Sequence, residues 1–458
     1  MDGLQRPGPQ ISAARTAREP VAPVATALLT DHYELTMLDA SLESGLAGRR
    51  VLFDVFARGL PSGRRYGVVC GTGRLRQALA GFRFDEGVLG YLDDRALVSP
   101  QALGYLANYR FTGDIIGYRE GELYFPYSPV LTVEATFGEA VLLETVILSI
   151  LNHDSAVASA AARMVTAARG RVLVEAGGRR THEEAAVAAA RAAYIAGFDS
   201  TSNLEAGRRW GIPTTGTTAH AFMLGHSGEE AAFAAQAGTL GKGTTFLVDT
   251  FDSESAIRSA VRVCGSDLGA IRIDSGDLVE EAVRARALLD ELGACNAKVI
   301  VSGDLDEYAI SRLGSSPVDG MLVGTELVSG SGAPTARMVY KLAAVADHSD
   351  RGAELRPVAK RSAGKATVGG RKFARRLFDQ RGGMVAESLD ASPEPHQRAR
   401  DLQVRIVEQG EWVADDSVEA ARRHHALAKA ELDPEQLAIR EGPPALNAMP
   451  AGLDGGGP

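Results

Sequence analysis

From Arg171 onward, short apolar runs alternate with Ala-rich or amphipathic stretches, and this rhythm predicts strand, helix, strand, helix. Strands are expected at 171–176, 211–215, 244–249, 269–274, 297–302 and 318–323, with helices between them, for example Ser253 to Val263 and Asp277 to Leu292. The runs are apolar almost throughout, as parallel strands buried on both faces are. The later ones recur every ~22–28 residues, the size of one strand–helix unit in a barrel of ~200 residues or more. What ends each run is polar. Phe246-Leu247-Val248 ends in Asp249, and Ile271-Arg272-Ile273 in Asp274. Val299-Ile300-Val301 ends in Ser302-Gly303-Asp304, and Met321-Leu322-Val323 in Gly324-Thr325. Active sites of barrels gather at the C-terminal ends of strands, and loop chemistry alone does not account for this succession.

The stretch from Arg171 to His226 is the densest in candidate chemistry. A strand is followed by a Gly177-Gly178-Arg179-Arg180 turn. Thr181 stands three residues before Glu184, a capping-box spacing that predicts a helix over 183–196 stopped by Gly197. Small polar residues follow from Asp199 to Asn203, and Ile212-Pro213 leads into Thr214-Thr215-Gly216-Thr217-Thr218-Ala219-His220. Arginines, hydroxyls and a histidine delivered at strand ends suit an anionic, phosphate-bearing substrate.

Upstream, Thr30 or Asp31 caps a helix carrying Leu35, Leu38 and Leu42. Strands are expected at Val51 to Ala57 and Arg65 to Cys70, and around Ile115, Leu123 and Val130. This reads as a small α+β domain over 26–150, with helical spacing at Val141 to Ile150 continued from Ala156 to Arg169. An α/β barrel domain is assigned to 151–350. Beyond Lys341 the barrel rhythm fades, Arg356 to Arg376 is strongly basic, and helices are expected at Pro393 to Gln403 and Ser417 to Glu431 in a C-terminal segment, 351–440. Residues 1–25 and 441–458, rich in Pro with Ala and Arg or with Gly, read as disordered tails.

The composition narrows the function. A chain of 458 residues with 45% hydrophobic and 23% charged residues is that of a globular protein, with about two to three domains. The 49 basic and 58 acidic residues leave a net charge of −9, which argues against nucleic acid as a partner. An acidic protein that binds an acidic substrate must concentrate its positive charge, and the arginines near 180 and 272 do so. Cys70, Cys264 and Cys295 lack metal-ligand or paired spacing, consistent with reduced thiols and a cytoplasmic location. No stretch reaches the ~18 apolar residues of a membrane span. The N-terminal segment lacks an apolar signal core, and Asp2 and Glu19 disfavour a transit peptide.

Taken in order, Leu29-Thr30-Asp31-His32-Tyr33, Gly178-Arg179-Arg180-Thr181-His182, Gly197-Phe198-Asp199-Ser200-Thr201-Ser202-Asn203, Gly216-Thr217-Thr218-Ala219-His220, Ile273-Asp274-Ser275-Gly276-Asp277-Leu278 and Val323-Gly324-Thr325 resemble the motifs of the nicotinate phosphoribosyltransferase family. The resemblance spans roughly residues 28 to 380 and implies an irregular (β/α) barrel of the type II phosphoribosyltransferase kind. Beside it stands a smaller α+β domain built from the N-terminal and C-terminal parts, the basic 356–376 segment returning to that domain. It implies joining of nicotinate to 5-phosphoribosyl-1-diphosphate, yielding nicotinate mononucleotide and diphosphate for NAD salvage. ATP and Mg2+ are the implied cofactors, and a homodimer with shared active sites the implied assembly.

Residue by residue, the resemblance makes His220 the histidine transiently phosphorylated by ATP; alone it would read as a helix-start histidine bonded to backbone. Arg179 and Arg180 are candidates to clamp the nicotinate carboxylate or a phosphate, or else form a solvated turn. Arg272, inside an apolar strand, points into the barrel mouth or outward to a helix acid; the resemblance places it at nicotinate. Thr217 resembles a nicotinate-contacting hydroxyl, and Tyr33 an aromatic that stacks on the pyridine across a dimer interface, against the reading as a core tyrosine. Asp274, Ser275, Gly276 and Asp277 suit ribose hydroxyls or Mg2+, although Ser275 or Asp277 also suits a helix N-cap. Asp249 and Asp252 are further candidates, either to touch the ribose or to support the groups that do. Ser302, Gly303, Asp304, Gly324 and Thr325 suit the 5-phosphate, where small residues let backbone amides approach.

Ser202 stands where the nicotinamide-using relative carries an Asp, and a carboxylate there would repel nicotinate. Quinolinate as substrate would need more basic residues. A non-catalytic barrel that only binds is a reading of another class, disfavoured by the polar strand ends and His220. A sugar-phosphate aldolase or isomerase would want a lysine or paired carboxylates at the strand ends; no expected strand ends in lysine.

Overall fold

The parallel rhythm folds as a six-stranded sheet in the spatial order 200–201, 172–175, 320–323, 298–303, 270–273, 245–247. Every pairing in it is parallel. The computed structural model describes residues 25–350, 352–360, 367–394, 397–446 and 448–450. Side chains along the inner strands are sealed: Ile271, Val299, Val301, Met321 and Val323 are fully buried. They pack with the helices Glu183–Ala196, Ser253–Cys264 and Leu278–Glu291 in one core. The hydrogen-bonded sheet is an open fan; among the described residues no pairing joins 200–201 to 245–247.

Antiparallel pairing builds the other half. A seven-stranded sheet runs 355–357, 338–346, 50–57, 131–136, 114–118, 403–408, 411–412, so three separate parts of the chain share it. The chain is already back in this sheet at Met338, ahead of the boundary placed at 350. A four-stranded sheet of 399–401, 373–378, 384–390 and 448–450 stands beside it.

Helix Glu144–Ala168 ties the halves together. Its Ile147, Ile150 and Leu151 belong to the core of the antiparallel half. Val157, Ala161 and Met164 belong to that of the parallel half. A domain boundary at 150 therefore falls inside a helix. The polar residues in the middle of this continuous helix are where it grips the other half: the Asn152 side-chain Oδ1 accepts from Met338 N at 2.7 Å, and buried Asp154 accepts from Arg74 at 2.7 Å.

Other expectations are corrected. The strand at 211–215 shrinks to one bridge, Thr201–Thr214, because Gly211 adopts left-handed φ of 70° to end helix Leu204–Trp210 and Pro213 has no N–H to give. The helix at Pro393 to Gln403 is absent among the described residues: Ala399–Asp401 and Gln403–Glu408 are strands in two different sheets. The expected tail from 441 begins later, since Ala445 N donates to Arg65 O at 2.7 Å, Leu446 is buried, and 448–450 pairs with 384–390. Residues 1–24 and 451–458, also expected as tails, lie outside the described residues.

Candidate active site

Register decides which side chains meet. Arg272 lies level with Leu247 on one side and Ile300 on the other. Gly303, Val323, Glu175 and Thr201 lie level across four strands. All polar terminations therefore emerge at one edge, neighbouring tips about 4.8 Å apart. Thr325 opens the short helix that leaves the strand two places from that of Arg272.

His220 is the first residue of helix His220–Leu224. Its Nδ1 is 3.1 Å from Thr250 Oγ1, and its Nε2 is 3.8 Å from Asp274 Oδ2, too far for a hydrogen bond. The irregular segment before it is held by side chains. Arg272 Nη1 donates to Thr217 Oγ1 at 2.7 Å, and Thr218 Oγ1 to Gln236 Oε1 at 3.0 Å. Gln236, 2% exposed, in turn donates to Thr245 O at 2.8 Å. Sequence reasoning missed Gln236, which looks like any residue of an Ala-rich helix.

Arg272 faces the site rather than a helix acid. Burial pushes its pKa down, with Asp274 and Asp249 pulling upward and Arg179 adding to the fall. Its Nε is buried without a partner. Asp249 Oδ2 accepts from Asp274 N and from Ser275 Oγ, each at 2.7 Å, while its Oδ1 is buried and unpartnered. Ser275 is thereby tied to Asp249, and Gly276 takes a left-handed φ of 82° in the turn. Asp277 is committed as an N-cap, accepting from Val279 N at 3.0 Å and Glu280 N at 3.2 Å. Asp252 caps the preceding helix through Ser255 N at 2.9 Å, so its side chain serves the helix.

Arg179 and Arg180 are exposed on the turn after strand 172–175, and Arg180 N closes the turn on Gly177 O at 2.8 Å. A Cβ on Gly177 would lie 2.3 Å from Val328 Cγ1, so the turn admits no side chain there. The helix that follows is capped by His182, whose Nδ1 accepts from Glu184 N at 3.3 Å. The Thr181–Glu184 capping box does not form because Arg209 engages both Glu184 oxygens, at 2.7 and 2.9 Å. Ser202 is exposed and its N donates to Glu175 O at 2.8 Å. Ser302 is buried with an unpartnered Oγ, followed by exposed Gly303 and Asp304. Tyr33 stands apart: it is 45% exposed on the first helix, and partial burial with the Glu144 carboxylate pushes its phenol up to about 12. None of its charged neighbours, Glu144, Glu34 and Asp31, lies at the strand tips.

A separate cleft of about 280 Å3 lies in the antiparallel half, lined among others by Arg371, Lys372, Arg375 and Arg405. Those cations are engaged, by Glu134, Asp54, Asp390 and Glu408 respectively. Among the described residues no cluster of three or more His, Cys, Asp or Glu is arranged to hold a metal by itself, and no helix is long and apolar enough to cross a membrane.

Residues 28–152 match the nicotinate phosphoribosyltransferase N-terminal domain. A nicotinate phosphoribosyltransferase of Mycobacterium tuberculosis is 51% identical over 453 residues, covering 96% of this chain and 98% of that protein. One from Bacillus subtilis is 37% identical over 362 residues, covering 77% and 73%. Among solved structures, human nicotinic acid phosphoribosyltransferase superposes with a TM-score of 0.77 at 25% identity, covering 91% of this chain and 97% of that one. Identity of this extent, on a fold whose strand tips gather an imidazole, arginines and carboxylates at one edge, places the chain in the nicotinate phosphoribosyltransferase family.

Proposed function

We propose that this chain joins nicotinate to 5-phosphoribosyl-1-diphosphate, giving nicotinate mononucleotide and diphosphate, with ATP hydrolysis coupled through His220. The pyridine nitrogen attacks C1 of the ribose as the C1–O bond to diphosphate breaks. The transition state is oxocarbenium-like, so the protein's work is to orient the partners and stabilise the leaving group. One observation carries the reading. Arg272 is a guanidinium set in an apolar parallel strand, bonded to Thr217 and with its Nε left unpartnered. A planar fork held this way suits a carboxylate, and Arg179 is near enough to depress its pKa. Exposed Ser202 offers a hydroxyl rather than a competing negative charge, which favours the acid over its amide.

The amides around Ser302-Gly303 and Gly324-Thr325 take the 5-phosphate, and the Asp274-Ser275 turn takes the ribose hydroxyls. His220 Nε2 attacks the terminal phosphorus of ATP, the bond to the ADP oxygen breaks, and water later returns phosphate. Thr250 engages Nδ1 and so leaves Nε2 as the acceptor nitrogen. Mg2+ fits here: a buried, unpartnered Asp249 Oδ1 lies beside Asp274, and this ion needs only one or two carboxylates beside phosphate oxygens. Asp249 and Asp274 would hold it, and it would supply charge neutralisation at the diphosphate.

The parallel fan serves as the ordered arc of the irregular barrel. A second copy of the chain supplies Tyr33 to stack on the pyridine, which accounts for its exposure away from its own strand tips. The free thiols of Cys70, Cys264 and Cys295 fit a cytoplasmic setting. Nicotinate, nicotinamide and quinolinate, assayed side by side with and without ATP, test the reading. Turnover of nicotinate, stimulated by ATP and accompanied by labelling from γ-labelled ATP that is lost in His220→Ala, is expected. No product from nicotinate and no label would leave a binding barrel instead.

A further inference from the structure

Glu175 ends the strand 172–175 and is 0% exposed. Among the described residues no basic side chain is paired with it, which for a buried carboxyl is costly unless other donors compensate. They do. Gly177 N donates to Oε1 and Thr201 Oγ1 to Oε2. Thr201 Oγ1 itself accepts from Asn203 N at 2.9 Å, and the backbone carbonyl of Glu175 accepts from Ser202 N at 2.8 Å. One residue therefore joins the turn that carries Arg179 to the turn that carries Ser202. Burial pushes its pKa up, against the pull of Thr201 and Gly177. Both bonds need an acceptor, so an amide replacing the carboxylate would set an NH2 against a donor.

We propose that Glu175 is a positioning residue for the pyridine-acid pocket, fixing the arginine turn and the Ser202 turn relative to each other by clasping Gly177 and Thr201. This rests on the reading that nicotinate lies between Arg179, Arg272 and Ser202. It does not touch substrate; it acts through the two turns.

Steady-state kinetics of the full chain test it, with thermal unfolding as the control for folding. Glu175→Gln should raise KM for nicotinate about tenfold while KM for 5-phosphoribosyl-1-diphosphate stays within about twofold. Thr201→Val should act in the same direction, and Thr201→Ser, which keeps the donor, should restore wild-type behaviour. The double variant Glu175→Gln/Thr201→Val should fall clearly short of the sum of the single effects, because the Glu175–Thr201 bond is shared, although Thr201→Val also frees Asn203 N. If Glu175→Gln does not fold, the Thr201 pair decides alone. A folded Thr201→Val with unchanged nicotinate KM, or with both KM values rising together, overturns the proposal. So does full additivity in the double variant. Arg179→Ala and Arg272→Ala are measured alongside. If neither raises nicotinate KM, it is the placement of nicotinate that fails; if they do and Thr201→Val does not, it is the role of Glu175.

Discussion

Two regions of this molecule treat buried charge differently. Where the antiparallel half joins the fan, both oxygens of Glu120 and of Glu122 are engaged, although Asp154 Oδ2 and Glu387 Oε2 in that half have no hydrogen-bond partner. Glu120 accepts from both terminal nitrogens of Arg191, at 2.6 and 2.7 Å, and from Gly71 N and Gly73 N. Burial alone would push its pKa up, but Arg191 and the two amides outweigh that and hold it low. Glu122 is brought down to about 2 against burial by His424, Arg376 and Arg400. At the tips of the parallel fan, Arg272 Nε, Asp249 Oδ1 and Ser302 Oγ are buried and have no partner. Glu120 and Glu122 have no oxygen left to offer a ligand and serve to hold the fold. The unmet groups at the tips cost stability and are the ones the proposed reaction would use. The cleft by Arg371 and Arg405 shows the same lesson from the other side, since its size exceeds its unmet chemistry.

The comparison can be broken by removing one group of each kind. Glu120→Gln should cost about 3–5 kcal/mol, because Arg191 is left buried and unpaired, and denaturant unfolding measures it. Asp249→Asn keeps an oxygen for Asp274 N and Ser275 Oγ, so it should stay within about 1 kcal/mol of wild type while losing most activity. Equal stability losses in the two would erase the distinction. Next in size, Arg272→Ala should lower kcat/KM for nicotinate about 100-fold with little change in unfolding midpoint. Ser202→Asp sharpens the picture further: the ratio of nicotinate to nicotinamide turnover should fall about tenfold, and equal losses on both would remove the specificity argument.

A pH dependence is expected where the two halves meet. His425 is fully buried, its Nδ1 on Gly121 O at 3.0 Å. Burial first and Lys429 second push its pKa from 6.5 down to about 4. A base with a depressed folded pKa contributes stability above its unfolded value and loses it as pH falls through the folded one. His425 alone should therefore lower stability from pH 6.5 to about 4 by at most ~3 kcal/mol. Glu34 opposes this by a similar amount: burial raises its pKa from 4.5 to about 7, so it gains stability as pH falls through nearly the same window, and the two contributions roughly offset. The clean measurement is the difference between His425→Met and wild type, which should move in favour of the variant as the solution is acidified. A difference that is flat with pH would contradict the assignment.

Much of the parallel half was legible because each of its central strands is an apolar run closed by a polar residue. That rule found Asp249, Asp274, Ser302 and Thr325 at one edge, and it applied equally to Glu175, the lone acid in its strand, where it was not used. His220, Thr217 and Arg272 stood out by type and place. Gln236 did not, because a single amide in an alanine-rich helix carries no local sign of what it reaches. Misreadings arose where partners distant in sequence win locally. Arg209 takes Glu184 from the expected capping box, and the strand 373–378 claims 399–401 from the expected helix.

The most direct test is a crystal structure of the protein with nicotinate mononucleotide and diphosphate bound. The pyridine carboxylate should meet Arg272 and Arg179, and the 5-phosphate the Ser302-Gly303 and Gly324-Thr325 amides, with diphosphate on the His220 side. Nucleotide bound instead in the cleft of Arg371 and Arg405, with the strand tips empty, would contradict the account.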